Sequence, residues 1–206
     1  MNKIFVTPYQ KHRSKITELL NKKCLNGVGV EIGVKEGEFS EILLNNWKCS
    51  KLYLVDPWED QDTDIYDETI HNHESNYMKT KNRLLKFNDK IELIKDYSEN
   101  AVKKIEDNSI DFIYIDGNHS YNAVKDDLEQ WYEKVKKGGI IMGDDYHIHD
   151  IENVFGFVFG VRKAVDEFCF KINKNVSTMY YGDWYYPYKI NNIDVLTPCN
   201  NWYFIK

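Results

Sequence analysis

The sequence predicts an α/β fold, a mostly parallel sheet with helices on both faces. Three observations predict it. Short apolar runs recur from Val28 to Gly143. Amphipathic stretches separate them, which implies parallel pairing through right-handed crossovers. The first run also ends in a glycine turn that leads into a helix, the point at which open α/β sheets bind ligands.

Taken in order, residues 10–24 read as an N-terminal helix and 28–33 as the first strand. A helix over 38–46 follows, and then a strand over 51–55 that Asp56-Pro57-Trp58 ends, because proline prevents a smooth continuation. Residues 59–76 are polar and acidic and suit a flap over a site. Helical patterns near 67–87, 98–106 and 121–136 alternate with strands at 91–94, 110–115 and 139–142. Beyond Asp150 the pattern changes. One helix near 157–171 precedes an aromatic-rich stretch, 179–188, and two strand-like pieces, 192–196 and 201–205, suit a closing hairpin at a sheet edge. No linker divides the chain. The expected organisation is one domain over 1–206, with a helical extension over 1–26, a core over 28–146 and a closing segment over 150–206.

Composition narrows the function classes. A chain of 206 residues with 42% hydrophobic content supports a sizeable core. A net charge of −6 offers no footprint for nucleic acid, and no basic cluster marks a membrane surface. Cys24, Cys49, Cys169 and Cys199 are scattered without a C-x-x-C pair and read as reduced thiols. The N-terminus has no apolar signal region and no run is long enough to span a bilayer, so a cytoplasmic location is expected.

The segment Glu31-Ile-Gly33-Val-Lys-Glu36-Gly37-Glu-Phe-Ser40 is the first candidate site. Its glycines let the backbone approach a ligand. Glu31 and Glu36 would repel a pyrophosphate but attract an ammonium and a sulfonium, while the helix start suits a carboxylate. Those requirements fit S-adenosylmethionine. Asp56, at the end of the second strand, stands where a carboxylate meets ribose hydroxyls, or else caps a helix. Trp58 packs on the cofactor or anchors the flap. Asp96 and Ser98 lie beside an adenine or serve as ordinary caps.

The sharpest signal is the pair Asp116-Gly-Asn118-His119-Ser-Tyr121 and Gly143-Asp144-Asp145-Tyr146. Neighbouring parallel strands lie ~4.8 Å apart, so acids at their ends converge. Three unpaired carboxylates would repel each other, and a divalent cation on Asp116, Asp144 and Asp145 removes that cost; all-oxygen ligands favour Mg²⁺, Mn²⁺ or Ca²⁺. The alternative is that these are turn and cap residues. His119 is placed to take a proton from a bound hydroxyl. His147 and His149 follow the second acid pair and read as further ligands or bases or, as preferred here, as loop residues, and the 179–188 aromatics either wall a substrate pocket or bury an edge or a dimer contact.

These residues resemble the class I S-adenosylmethionine-dependent methyltransferases, and within them the metal-dependent macrocin O-methyltransferase type. The resemblance covers roughly 28–146 and rests on Glu31-x-Gly33-x-x-x-Gly37, Leu54-Val-Asp56-Pro-Trp, Asp116-Gly-x-His119-x-Tyr121 and Gly138-Gly-x-x-x-x-Asp144-Asp145. It implies a Rossmann-like domain whose seven-stranded sheet ends in an antiparallel strand. It implies cofactor contacts from Glu31, Gly33, Gly37, Ser40, Asp56, Trp58, Asp96, Ser98 and Asp116, methyl transfer to an oxygen of a small molecule or sugar, and His119 with Asp116 as the catalytic pair. Some relatives carry an acid where Asn118 stands here, which leaves the base open between His119 and another group. A metal-free methyltransferase and a non-catalytic binding protein are the rival readings. A nicotinamide-dependent dehydrogenase is disfavoured by the missing G-x-G-x-x-G.

Overall fold

A computed structural model describes residues 8–60, 72–147, 159–190 and 193–206 of the chain. Its strands are β1 (Val28–Ile32), β2 (Lys51–Asp56), β3 (Ile91–Lys95), β4 (Ile110–Ile115), β5 (Val135–Gly143), β6 (Ser177–Ile190) and β7 (Ile193–Ile205). Its helices are α1 (Pro8–Lys22), α2 (Glu38–Asn46), α3 (His73–Leu84), α4 (Ser98–Ala101), α5 (Tyr121–Trp131) and α6 (Val161–Lys171). The strands form one seven-stranded sheet in the order β3-β2-β1-β4-β5-β7-β6. β1 to β5 run parallel, and β7 pairs antiparallel with both β5 and β6. The mostly parallel sheet with an antiparallel closing strand is the one the resemblance implied.

The core divides by sheet face. On one face Val30, Ile113, Ile115 and Ile141 pack with Ala101 of α4, Trp131 of α5 and Val165 of α6. On the other, Leu52, Phe112, Tyr114 and Met142 pack with Ile16 of α1, Leu43 of α2 and Leu84 of α3. Parallel strands covered on both faces read as near-continuous apolar runs, as Ile110–Ile115 does. Each fully buried side chain in such a layer is worth about 1.5–3 kcal/mol of transfer free energy.

Two expectations change. The helix expected over 67–87 begins at His73, with Asn72 accepting from Ser75 N at 2.9 Å as its cap; residues 61–71, most of the expected flap, lie outside the described residues. The aromatic stretch 179–188 is not a segment preceding two short strands. It belongs to the long strand β6, and β7 runs without a break through both predicted pieces. Gly182 and Pro187 disguise the strand. The register shift between Tyr180 and Tyr185 absorbs the irregularity around the glycine, and Pro187 sits on an edge strand, where a missing N–H costs least. The side chains of 180–188 lie outside the described residues, so their reading as a pocket wall does too. Among the described residues no helix is long and apolar enough to cross a membrane.

Candidate functional site

β1 and β4 are neighbours, yet β2 follows β1 on one side of the sheet and β5 follows β4 on the other. The chain therefore leaves a crevice at their carboxyl ends, the position at which doubly wound sheets bind ligands. Both predicted motifs meet there. Asp116 N donates to Ile32 O at 2.9 Å, joining the start of the β4 loop to the end of β1. A Cβ on Gly33 would lie 1.9 Å from Asp116 O, and Gly33 has φ +83°. Glycine is therefore required at that position twice over, by conformation and by space.

The turn after Gly33 is held from several sides. Asp56 Oδ2 accepts from Val34 N and Lys35 N, both at 2.9 Å, and Oδ1 accepts from Trp58 N at 2.7 Å. Burial raises the Asp56 carboxyl, and these three N–H groups oppose that. The carboxylate predicted for a ribose is thus fixed to the glycine turn itself. The Lys35 carbonyl accepts from Trp58 Nε1 at 2.8 Å and Thr80 Oγ1 at 2.9 Å. Trp58 is buried and packs on Tyr77 of α3, so its indole anchors the loop. Gly37, with φ +73°, starts α2.

The two glutamates of this motif have separate roles. Glu36 pairs with Lys79 at 2.7 Å on the surface. Glu31 is buried and accepts from Ser40 Oγ at 2.6 Å, which ties the first turn of α2 to β1. Burial pushes its carboxyl up to about 8, against the Ser40 hydrogen bond and the Arg13 charge. Burial thus favours the neutral form of Glu31, which opposes the attraction expected between it and a cationic ligand. Asp96 accepts from Tyr97 N at 2.9 Å and Asn100 Nδ2 at 3.0 Å and pairs with Lys104. Ser98 donates to Asp127 and accepts from Trp131 Nε1. Asp96 is thus tied within its own turn and Ser98 links α4 to α5, and neither side chain caps α4.

At the other end of the crevice the register Ile115↔Gly143 places the two acidic segments side by side. Asp116, His119 and Asp145 each offer an atom, all within 4.8 Å of one another. His119 Nε2 lies 3.1 Å from Asp145 Oδ2 and 3.6 Å from Asp116 Oδ1. His147, buried, places its Nε2 3.2 Å from Asp145 Oδ1. Phe159 stacks on His119 and meets His147 edge-on, so one ring braces both imidazoles. Burial alone would raise the Asp145 carboxyl, but His119 and His147 outweigh it and hold it well below the usual carboxylate range. Asp145 occupies the left-handed region at φ 58°, and that turn directs its carboxylate at both rings.

Asp144 does not join that set as the side chains stand. Its Oδ2 meets Arg13 Nη2 at 2.6 Å and its Oδ1 accepts from Asn201 Nδ2 at 3.1 Å. Tyr114 Oη accepts from Arg13 Nη1 at 2.7 Å and from Asn201 Nδ2 at 2.6 Å. The predicted divalent site on Asp116, Asp144 and Asp145 therefore does not fit this arrangement, because a guanidinium already stands between two of the three acids. A cation would instead meet Asp116, His119 and Asp145, one imidazole and two carboxylates. Sequence reasoning missed Arg13, Tyr114 and Asn201. Tyr114 was open to discovery, since it shares a strand face with Asp116 two residues on; Arg13 and Asn201 carry no local signal. His71 and His149 lie outside the described residues.

A family model described as a methyltransferase domain matches residues 30–146. An uncharacterised protein of Acanthamoeba polyphaga mimivirus is 36% identical over 124 residues, covering 57% of this chain and 50% of its own length. The chain thus spans about half the length of that relative. Among solved structures, the O-methyltransferase from Bacillus cereus in complex with SAH aligns at a TM-score of 0.63 with 14% identity, over 98% of this chain and 83% of that one. Precorrin-6y C5,15-methyltransferase from Geobacter metallireducens aligns at 0.62 with 15% identity, over 100% and 93%. At such identities the likeness is one of fold.

Proposed function

The chain belongs to the class I methyltransferase family, and on that premise we propose that it transfers the methyl group of S-adenosylmethionine to a hydroxyl oxygen of a small molecule or sugar. The observation that carries this reading is the backbone junction of Gly33 with Asp116, which sets a cofactor-type glycine turn directly against a loop bearing a histidine held by a carboxylate. Fold alone does not choose the atom methylated. The histidine supports an oxygen acceptor, because a neutral hydroxyl needs a base when it attacks carbon.

In this mechanism the turn Gly33–Gly37 and Asp56 would hold the cofactor, Asp56 through its remaining capacity to accept from a ribose hydroxyl. The bound cofactor would supply the methyl carbon to an acceptor oxygen placed beside His119. The new C–O bond forms as the C–S bond breaks, and the sulfur leaves with the electron pair as a thioether. His119 takes the hydroxyl proton, and the imidazolium stays paired with Asp145. Fixed geometry supplies much of the rate, because both reactants are positioned before the step. No step here passes through a metal ion. An ion on Asp116, His119 and Asp145 is the second reading, supported by the closeness of their ligand atoms.

The test begins with calorimetric titration of S-adenosylmethionine into the full chain and into Asp56→Ala. Binding that weakens at least tenfold in the variant supports the reading. A screen of diols, sugars and phenols with labelled methyl donor follows, with and without EDTA. Absence of cofactor binding by the wild-type chain would remove the proposal, and turnover abolished by EDTA would select the second reading.

A further inference from the structure

Arg13 belongs to α1, outside the stretch that the methyltransferase family model matches, and its head group ends among the acids that follow β4 and β5. The residue is 4% exposed. Nη2 lies 2.6 Å from Asp144 and 3.3 Å from Asp116, and Nη1 donates to Tyr114. The guanidinium carbon stands 4.5 Å from the centroid of Phe39 and 5.0 Å from that of Tyr114. Two carboxylates, a phenol and two aromatic faces therefore enclose one cation. Asn201, also buried, braces the far oxygen of Asp144. A surface ion pair has none of this framing and contributes little.

The chemistry of the cluster explains why a cation belongs there. Asp116 and Asp144 end adjacent strands, and left uncompensated they would repel each other. A divalent ion is one way to remove that cost. A guanidinium is another, and it keeps its charge at every working pH because it does not deprotonate in proteins. The two solutions compete here: an ion bound to Asp144 would face the Arg13 charge at contact distance, and Asn201 already donates to its other oxygen.

We propose that Arg13 is the built-in cation of this acidic edge, standing on Asp116 and Asp144 where a divalent ion would otherwise sit, so that the protein binds such ions weakly and turns over without one. Arg13 is thus a positioning residue. It holds Asp144 away from the reacting groups and leaves Asp145 to His119. The turnover half of this inference rests on the methyltransferase reading; the ion-binding half does not.

The experiment is a Mn²⁺ titration of the full chain, followed by electron paramagnetic resonance of the free ion. It compares wild type, Arg13→Gln, Arg13→Lys and the double variant Arg13→Gln/Asp144→Asn. The expected result is Mn²⁺ binding at least tenfold tighter in Arg13→Gln, no gain in Arg13→Lys, which keeps the charge, and reversal in the double variant. Equal Mn²⁺ affinity in wild type and Arg13→Gln overturns the proposal. Should Arg13→Gln fail to fold, wild type and Asp144→Asn decide the matter. Tight wild-type binding overturns the proposal whether or not Asp144→Asn abolishes it, and weak binding indifferent to that substitution supports it. Wild-type turnover unchanged in EDTA supports the second half, and loss of turnover in EDTA with cofactor binding retained overturns it. Absence of cofactor binding would remove the methyltransferase reading while the Mn²⁺ comparison still decides the role of Arg13.

Discussion

Replacing Glu31 by glutamine should make the protein more resistant to alkaline conditions. Glu31 is 2% exposed, and burial pushes its carboxyl up to about 8 from an ordinary 4.5, with Ser40 and Arg13 opposing. Between those two values the folded chain holds a proton that the unfolded chain releases. The contribution is fully present below the unfolded pKa and is lost as pH rises through the folded one. The slope is about 1.36 kcal/mol per pH unit, so two units between pH 6 and 8 remove about 2–3 kcal/mol. The glutamine of Glu31→Gln does not titrate, and it can still accept from Ser40. Urea unfolding of both proteins at pH 6 and pH 9, extrapolated to water, isolates the effect, because every other titrating group cancels in the difference. The gap should move in favour of Glu31→Gln by about 2–3 kcal/mol across that range. Two proteins that lose stability in parallel would refute the assignment of a neutral, buried Glu31.

A second buried acid behaves likewise away from the crevice. Burial pushes Asp127 up to about 7, with the Ser98 hydrogen bond opposing. Asp127→Asn should therefore gain about 2–3 kcal/mol over wild type between pH 5 and pH 8, read by the same unfolding comparison. Gly33→Ala should lower stability by at least about 3 kcal/mol, since its Cβ would lie 1.9 Å from the Asp116 carbonyl oxygen in a left-handed conformation. In thermal unfolding that is a drop of roughly 6–12 °C for a chain of this size, and an unchanged Tm would show that the junction yields easily.

The parallel half of the sheet was legible because its determinants are local. A buried strand such as Ile110–Ile115 is written as an apolar run, and the turn that follows β1 is written as Gly33 and Gly37. The positions of Asp56 and Asp116 were legible for the same reason, each standing at a strand end, and His119 follows in the loop after β4. What was hidden depends on partners far away in sequence. Arg13 meets Asp144 across 131 positions, and Asn201 meets it across 57. Neither lies in a motif, and no periodicity announces either. The three-aspartate expectation rested on a sound premise, that clustered carboxylates need a cation; the premise does not say whether the cation is an ion or a side chain on another helix. β6 was hidden by composition, because Gly182 and Pro187 are ordinary turn signals and only the edge position makes them tolerable.

The clamp on Asp144 also governs the order in which the site can be built. Its partners come from α1, made well before it, and from β7, made well after it. On the ribosome the acid would emerge with Arg13 already available and Asn201 not yet synthesised. Until β7 inserts between β5 and β6, β5 has an open edge, and the acid at its end lacks one of its two restraints. Closing so long a loop carries an entropic cost that local helices do not meet. The crevice should therefore be among the last regions to mature, and a nascent chain halted before Asn201 should have its glycine turn but an Asp144 restrained from one side only.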